Sequence, residues 1–402
     1  MRTPSLPSWV TILIAGSIIL TLSMGARQVS GLFLRPVVMD LGLSREAFGT
    51  AVAISNLVWG LAQPFAGLLA DRYGARPVVI GAGLLYAAGL GLAATATNGT
   101  MFTLGLGLLC GLGQAGTAFA VTFALIGRAT PAEHRSFALG LGSTAGSIGV
   151  FLVVPMTSAL IDAFDWRPSM LVLGASLLLM PILALALREE RVTSTAGTTS
   201  GWAAAGIANR DRDYWLLNLG FATCGFQLAF IATYLPTVLI DGGLDLSAGA
   251  AVLAAIGLFN ILGTWVCGLA GARWQKSRVL TVVYLARAAA MITFLAIPLS
   301  MTSALVFGGA IGLLWTGTVP LTSALVADLW GRRNLGFLFG LVYIGHQIGA
   351  FIGAWAGGFA HDHTGSFDIV WTISIGLSVS AAICHMLLIE RPRPIALAEG
   401  TA

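Results

Sequence analysis

Apolar residues follow one another along this chain in runs of about twenty, each closed by a short polar, Gly- or Pro-bearing break. The runs cover 9–33, 47–70, 77–97, 101–127, 136–161, 167–187, 214–239, 247–270, 279–298, 302–327, 335–360 and 367–389. About 20 apolar residues is what a helix needs to cross the hydrocarbon of a bilayer, where each backbone group must be bonded internally. The pattern predicts an all-α membrane protein of twelve transmembrane helices. Six precede a Ser/Thr/Gly-rich stretch, REERVTSTAGTTSGW, and six follow it. The expected organisation is a six-helix bundle over 1–187, a cytoplasmic linker over 188–213 with the composition of a flexible tether, and a second six-helix bundle with a short tail over 214–402.

A basic loop between two runs, GLLADRYGAR at Gly67 to Arg76, returns in altered form 201 residues later as GLAGARWQKS at Gly268 to Ser277. Such a repeat, half a chain apart, marks a duplicated bundle. The string resembles the signature of the major facilitator superfamily between its second and third spans, and the second copy falls where that family has its eighth-to-ninth connection. The resemblance implies two pseudo-symmetric bundles, substrate near the midplane between them, and transport by rocking of the halves. In the loop, Asp71 is expected to hold a helix N-terminus or a basic residue of the other half, locking the cytoplasmic side. Gly67 would allow close helix approach and Gly74 a tight turn, with Arg72 and Arg76 completing the gate. In the second copy Ala272 and Gln275 replace Asp71 and Gly74, so the latch is expected to be asymmetric. The simpler reading is a basic turn on the cytoplasmic side.

Composition agrees with a bilayer: hydrophobic residues make up 57% of the chain and charged ones 9%, against about 25% charged in a soluble domain. With both termini inside, sixteen of the Lys and Arg residues fall in cytoplasmic segments and only Arg35, Arg45 and Arg167 outside, as short cytoplasmic loops require. The net charge of +4 then reflects topology and not nucleic-acid binding. The expectation is a multi-pass protein of the inner (plasma) membrane with both termini cytoplasmic. Its first span reads as a retained helix and not a cleaved leader. Cys110, Cys224, Cys267 and Cys384 lie inside spans without metal-ligand spacing, so neither metal nor cofactor is expected.

The chemistry lies in what the spans contain. All seventeen acidic residues fall in loops or at helix ends, whereas Arg27 and Arg287 sit inside apolar runs. A charge at membrane depth is costly and marks a substrate path or a buried pair. An arginine without a carboxylate beside it is matched to an anionic substrate, which its planar fork binds. For Arg27 the alternative is snorkelling to the outer interface; for Arg287 it is a structural role between helices. Gln114, Gln227, Tyr234, Asn260, His346 and Gln347 are further candidate substrate-binding residues at depth, beside Asn56 and Gln63. Gln227 and Tyr234, seven apart, share a helix face, as do Asn260 and Thr264; helix–helix hydrogen bonding is the competing explanation. His346 is the candidate proton-coupling residue, with Asp241, Asp328 or the substrate itself as alternative carriers.

Three further stretches, SGLFLRPVVMDLGLSREAFG, DLWGRRNLGFLFG and IGHQIGAFIGAWAGG, resemble bacterial members of the monocarboxylate transporter family. That resemblance implies a lactate-like or pyruvate-like anion moved with a proton, and Arg27 falls close to where such relatives place a basic residue in the first span. Two departures stand out. Thr264 occupies the place where relatives carry an eighth-span arginine, and Gly345-His346-Gln347 offers no match to the eleventh-span lysine of oxalate:formate exchangers, which speaks against a dicarboxylate exchanger. The fifth span lacks the Gly-Pro pair common among antiporters, favouring symport or uniport. The expected protein is a monomeric secondary transporter of a small organic anion, partnered by that anion, by protons and by the lipid bilayer. A multidrug exporter of the same superfamily and a non-transporting membrane sensor are the alternatives. An enzyme is not expected, since no nucleophile, base and orienting group gather at one depth.

Overall fold

In a computed structural model that describes residues 8–131, 134–186, 201–331 and 335–393, twelve helices are long and apolar enough to cross a membrane. They are Trp9–Gln28, Arg45–Ala70, Ala75–Ala94, Gly99–Ala129, Ala138–Phe164, Trp166–Leu185, Arg212–Asp241, Leu246–Arg273, Lys276–Ala296, Met301–Trp330, Leu335–Thr364 and Asp368–Leu387, called here the first to twelfth spans. The fold class is the one the hydrophobic pattern predicts.

Three departures come from backbone geometry that hydropathy does not record. The first span ends at Gln28 and not at 33. After a tight turn at Val29 the chain forms a separate helix, Ser30–Leu41, closed by Gly42 in the left-handed region (φ 62°). The fourth span passes through a π-helical stretch, Thr103–Leu109, and breaks at Ala118, whose ψ is −168°. The tenth span is two helices, Met301–Leu313 and Thr318–Trp330, separated by four non-helical residues. In each case the apolar run continues across the irregularity. Within the segment read as a flexible tether, Gly201–Ala208 is a short helix.

The chain divides into two compact units, Met1–Ser194 and Thr195–Ala402. The loop repeat proves to be the visible part of a duplication that runs through both. The second and eighth spans start 201 residues apart, each behind a side-chain cap: Ser44 Oγ accepts from the Ala47 amide at 3.0 Å and Asp245 Oδ1 from the Ala248 amide at 2.8 Å. Such caps contribute about 1 kcal/mol each. Helix packing repeats in register too. A Cβ on Gly111 would stand 2.7 Å from the Ser55 carbonyl oxygen, and one on Gly312, 201 residues on, 2.7 Å from that of Ile256. Gly107 against Ala51 (3.1 Å) and Gly308 against Val252 (3.0 Å) repeat the relation one turn away. Small residues bring membrane helices together in this way, because dispersion and not apolar transfer drives their association.

In the first unit, Arg167 at the start of the sixth span fastens one end of the bundle. It pairs with Asp40 at 2.8 Å and donates to the carbonyls of Ala94 (2.8 Å) and Ala96 (3.0 Å). In the second unit the segment after the twelfth span is tied down: Arg393 bonds the carboxylates of Asp211 and Asp213, the Trp330 indole donates to Asp211 at 3.2 Å, and the Ser277 amide donates to Glu390 at 2.6 Å.

Candidate functional site

Arg27 stands in the last turn of the first span, half-buried. Its Nη2 donates to Asn56 Oδ1 at 3.1 Å, and its guanidinium carbon lies 5.0 Å from the centre of the Trp59 ring. Asn56 and Trp59 are three apart on the second span, so they share a face. The Asn56 amide is aimed by its own backbone, since its Nδ2 donates to the Val52 carbonyl at 3.0 Å. On the fourth span, Gln114 donates from Nε2 to the Tyr86 hydroxyl of the third span at 3.3 Å. Of the sequence candidates in this unit, Arg27 meets Asn56 of the second span and Gln114 meets Tyr86 of the third. Asn56 was visible in the sequence as a polar residue at depth. Trp59 and Tyr86 carried no signal, because aromatic residues are ordinary in apolar helices. An amide oxygen and an aromatic face orient a guanidinium without cancelling its charge.

In the second unit Arg287 is buried, and its fork is directed at backbone. Nε donates to the Leu314 carbonyl at 3.0 Å; Nη2 reaches the carbonyls of Leu314 and Trp315; Nη1 donates to Gln227 Oε1 at 3.3 Å. These carbonyls close the half-helix Met301–Leu313. A helix C-terminus leaves its last carbonyls without intrahelical donors and carries partial negative charge, so a cation there contributes up to about 2 kcal/mol when partly buried. Of the two readings of Arg287, its geometry supports the structural one. On the other side of the break, Asn260 Oδ1 accepts from the Thr316 amide (3.0 Å) and hydroxyl (2.9 Å), and Thr264 Oγ1 lies 3.3 Å from Thr316 Oγ1.

Gln227 and Tyr234, on one face of the seventh span, are each hydrogen-bonded to a neighbouring helix. Gln227 donates to the Ser374 carbonyl of the twelfth span at 2.8 Å, and Tyr234 donates to the Ala354 carbonyl of the eleventh at 2.6 Å. Both are buried, and each ties the seventh span to a different neighbour. The seventh span is buried nearly all round, so residues on one of its faces still meet different helices. His346 is buried, with Nδ1 3.0 Å from Gln347 Oε1 and its ring stacked on Tyr343 at 5.3 Å. It meets Cys224 of the seventh span, whose thiol is 3.3 Å from Thr318 Oγ1, so the histidine adjoins the tenth-span break through one residue.

Of the expected gate, Asp71 lies within a helix and its side chain is outside the described residues. Gly74 turns between the second and third spans with φ 89°, a conformation side chains rarely adopt. Arg72 lies over Tyr73 at 5.2 Å, and Arg76 is exposed in the first turn of the third span. Among the described residues, no atom of another element lies within 4 Å of where a Cβ on Gly67 would stand. The second loop copy is fastened inside its own unit, Lys276 pairing with Asp328 at 2.8 Å. Asp241 lies 4.0 Å from His361.

Comparison with known proteins gives one consistent answer. The sequence model described as "Major Facilitator Superfamily" matches residues 16–320. The MFS-type transporter YcxA of Bacillus subtilis (strain 168) is 25% identical over 96% of each chain. Monocarboxylate transporter 11 of Homo sapiens is 29% identical over 91% of this chain and 79% of its own. Among solved structures, a bacterial homologue of the human lysosomal transporter Spinster, in an inward-facing and occupied conformation, superposes with a TM-score of 0.78 over 97% of this chain and 100% of that one, at 16% identity; this last likeness concerns the fold.

Proposed function

From the premise that this chain belongs to the major facilitator superfamily, and is a multi-pass membrane transporter and not an enzyme, we propose that it carries a small organic anion, a monocarboxylate, by alternating access. The observation that carries this reading is Arg27: a guanidinium in a membrane span, oriented by the neutral Asn56 oxygen and the Trp59 face, in a chain whose acidic residues all stand at span ends or in loops. An anion completes such a site with charge-assisted, two-pronged hydrogen bonds. Gln114 and Tyr86 add a second neutral polar pair in the same unit. The similarity to a monocarboxylate transporter supports the same substrate class.

The protein works as a monomer in the plasma membrane with both termini in the cytoplasm, a reading supported by the distribution of its Lys and Arg residues. Transport is coupled to protons through His346, a titratable group at membrane depth, and the loop bearing Asp71 biases the two orientations of the carrier.

Uptake of labelled carboxylates into proteoliposomes, with and without an inward proton gradient, tests all of this. Saturable uptake of a monocarboxylate, stimulated by the gradient, is expected. Arg27→Gln abolishes it while the protein stays folded and monomeric; His346→Gln removes the response to the gradient. Normal uptake by Arg27→Gln removes Arg27 from the site, and movement of cations instead of carboxylates makes the protein an exporter of the multidrug type.

A further inference from the structure

The tenth span is interrupted inside the membrane, and such an interruption persists only where its backbone groups find partners in the protein. Two helices supply them from separate sides. The ninth span contributes Arg287, which holds the carbonyls of Leu314 and Trp315 and the side chain of Gln227. The eighth contributes Asn260, whose oxygen accepts from both donors of Thr316. The broken fourth span of the first unit shows what sealing alone requires. There Thr117 donates to the Gly113 carbonyl at 2.8 Å, Thr122 to the Thr117 carbonyl at 3.1 Å, and Ser23 lies 2.9 Å from the Thr117 hydroxyl. Among the described residues, that break is bonded by hydroxyls and by no cation.

What the guanidinium adds is reach and rigidity, since a planar fork grips two successive carbonyls and a third helix in one fixed geometry. We propose that Arg287 is a positioning residue of the transport step. Together with Asn260 it makes Leu314–Gly317 a defined joint between the half-helices Met301–Leu313 and Thr318–Trp330, about which they reorient as rods. Arg287 touches no substrate, its donors being directed at Leu314, Trp315 and Gln227. Glycines at the joint keep its packing close: a Cβ on Gly312 would stand 2.7 Å from the Ile256 carbonyl oxygen of the eighth span. The inference rests on the transport reading but not on the identity of the substrate. A loosened joint slows reorientation of the loaded carrier and leaves recognition at Arg27 unchanged.

The test uses the full chain in nanodiscs and proteoliposomes, with Arg287→Lys, which keeps the charge and loses the fork, and Asn260→Ala, which leaves Arg287 in place. Backbone amide exchange over 312–318 is expected to accelerate about tenfold in both variants and to stay unchanged in the other spans. Maximal uptake rate is expected to fall about tenfold with KM within about twofold of the parent. Unchanged exchange over 312–318 in a folded variant overturns the joint, and a raised KM at unchanged maximal rate places these residues on the substrate instead. If Arg287→Lys does not fold, Asn260→Ala decides. If the parent protein carries no carboxylate, the substrate reading fails and the exchange measurement still judges the joint.

Discussion

Two places 201 residues apart, the pair Tyr86–Gln114 and the pair Arg287–Trp315, occupy equivalent positions of the duplicated bundle and are in contact in both units. In the first unit a neutral phenol receives a hydrogen bond from a neutral amide. In the second, a guanidinium at the tyrosine's position bonds the backbone of the residue at the glutamine's position. The helices nearby pack alike, to the point that Gly111 and Gly312 stand at the same 2.7 Å limit against their neighbours. A common backbone frame has thus taken up two chemistries at one contact. The arginine at depth in the first unit meets an amide side chain and a ring, while that of the second is bound to the main chain of its own unit. The lesson concerns charge within membranes: an arginine at depth is a substrate residue or a helix cap according to what its fork meets, and its presence alone does not say which.

The largest expected effect comes from making the second unit resemble the first. Arg287→Tyr strands the carbonyls of Leu314 and Trp315 and is expected to destabilise the protein by about 2–4 kcal/mol, whereas Tyr86→Phe gives up one neutral hydrogen bond worth about 1 kcal/mol. Thermal unfolding in detergent compares them, and equal shifts in Tm would show that the guanidinium holds its unit together no more than the phenol does. Next come Gly111→Ala and Gly312→Ala, each expected to cost about 1–3 kcal/mol through forced helix separation; a neutral result for one alone would show that the packing is not truly repeated.

The smallest effect is sought where the second unit is fastened near its C-terminal end. Burial acts to raise the Asp211 carboxyl, but the hydrogen bond from Arg393, the Asp213 amide, the Arg393 charge and the Trp330 indole outweigh it and hold it below its ordinary value. A depressed carboxylate stabilises the fold at pH above its unfolded pKa and loses that contribution as pH falls through the folded one. Arg393→Ala is therefore expected to lower stability by about 1 kcal/mol or less at neutral pH, solvent screening the pair, and by less again in strong acid. An unaltered gap between parent and variant across the acid range would detach Asp211 from this contact.

The spans were legible in the sequence because a bilayer imposes one length and one polarity on them. The breaks at Ala118 and Leu314–Gly317 were not, because an apolar run does not change its composition where the backbone leaves the helix. Arg27 and Arg287 stood out equally, as rare charges at depth. What separates them is a partner: an amide side chain and a ring for one, main-chain carbonyls for the other, and carbonyls have no letter in a sequence. The same blindness covers Tyr234, whose acceptor on the eleventh span is the Ala354 backbone oxygen. Thr264 gains meaning by the same route. It holds the position where arginine was expected by resemblance, and the Thr316 hydroxyl it meets follows directly on the carbonyl that Arg287 binds from the ninth span.

The π-helical stretch Thr103–Leu109 bears on how the two halves diverged. From the capping Asn98 to Gly107 the first unit takes nine steps, and from the capping Ser300 to Gly308 the second takes eight. A wider turn houses one additional residue per ring than an α turn, so the surplus residue is coiled into the helix instead of rotating everything after it. Gly107 and Gly111 thereby keep their places against the second span. A membrane helix can accept an insertion in mid-span without surrendering its interface, which makes the spacing of its contacts, and not its residue count, the inherited quantity.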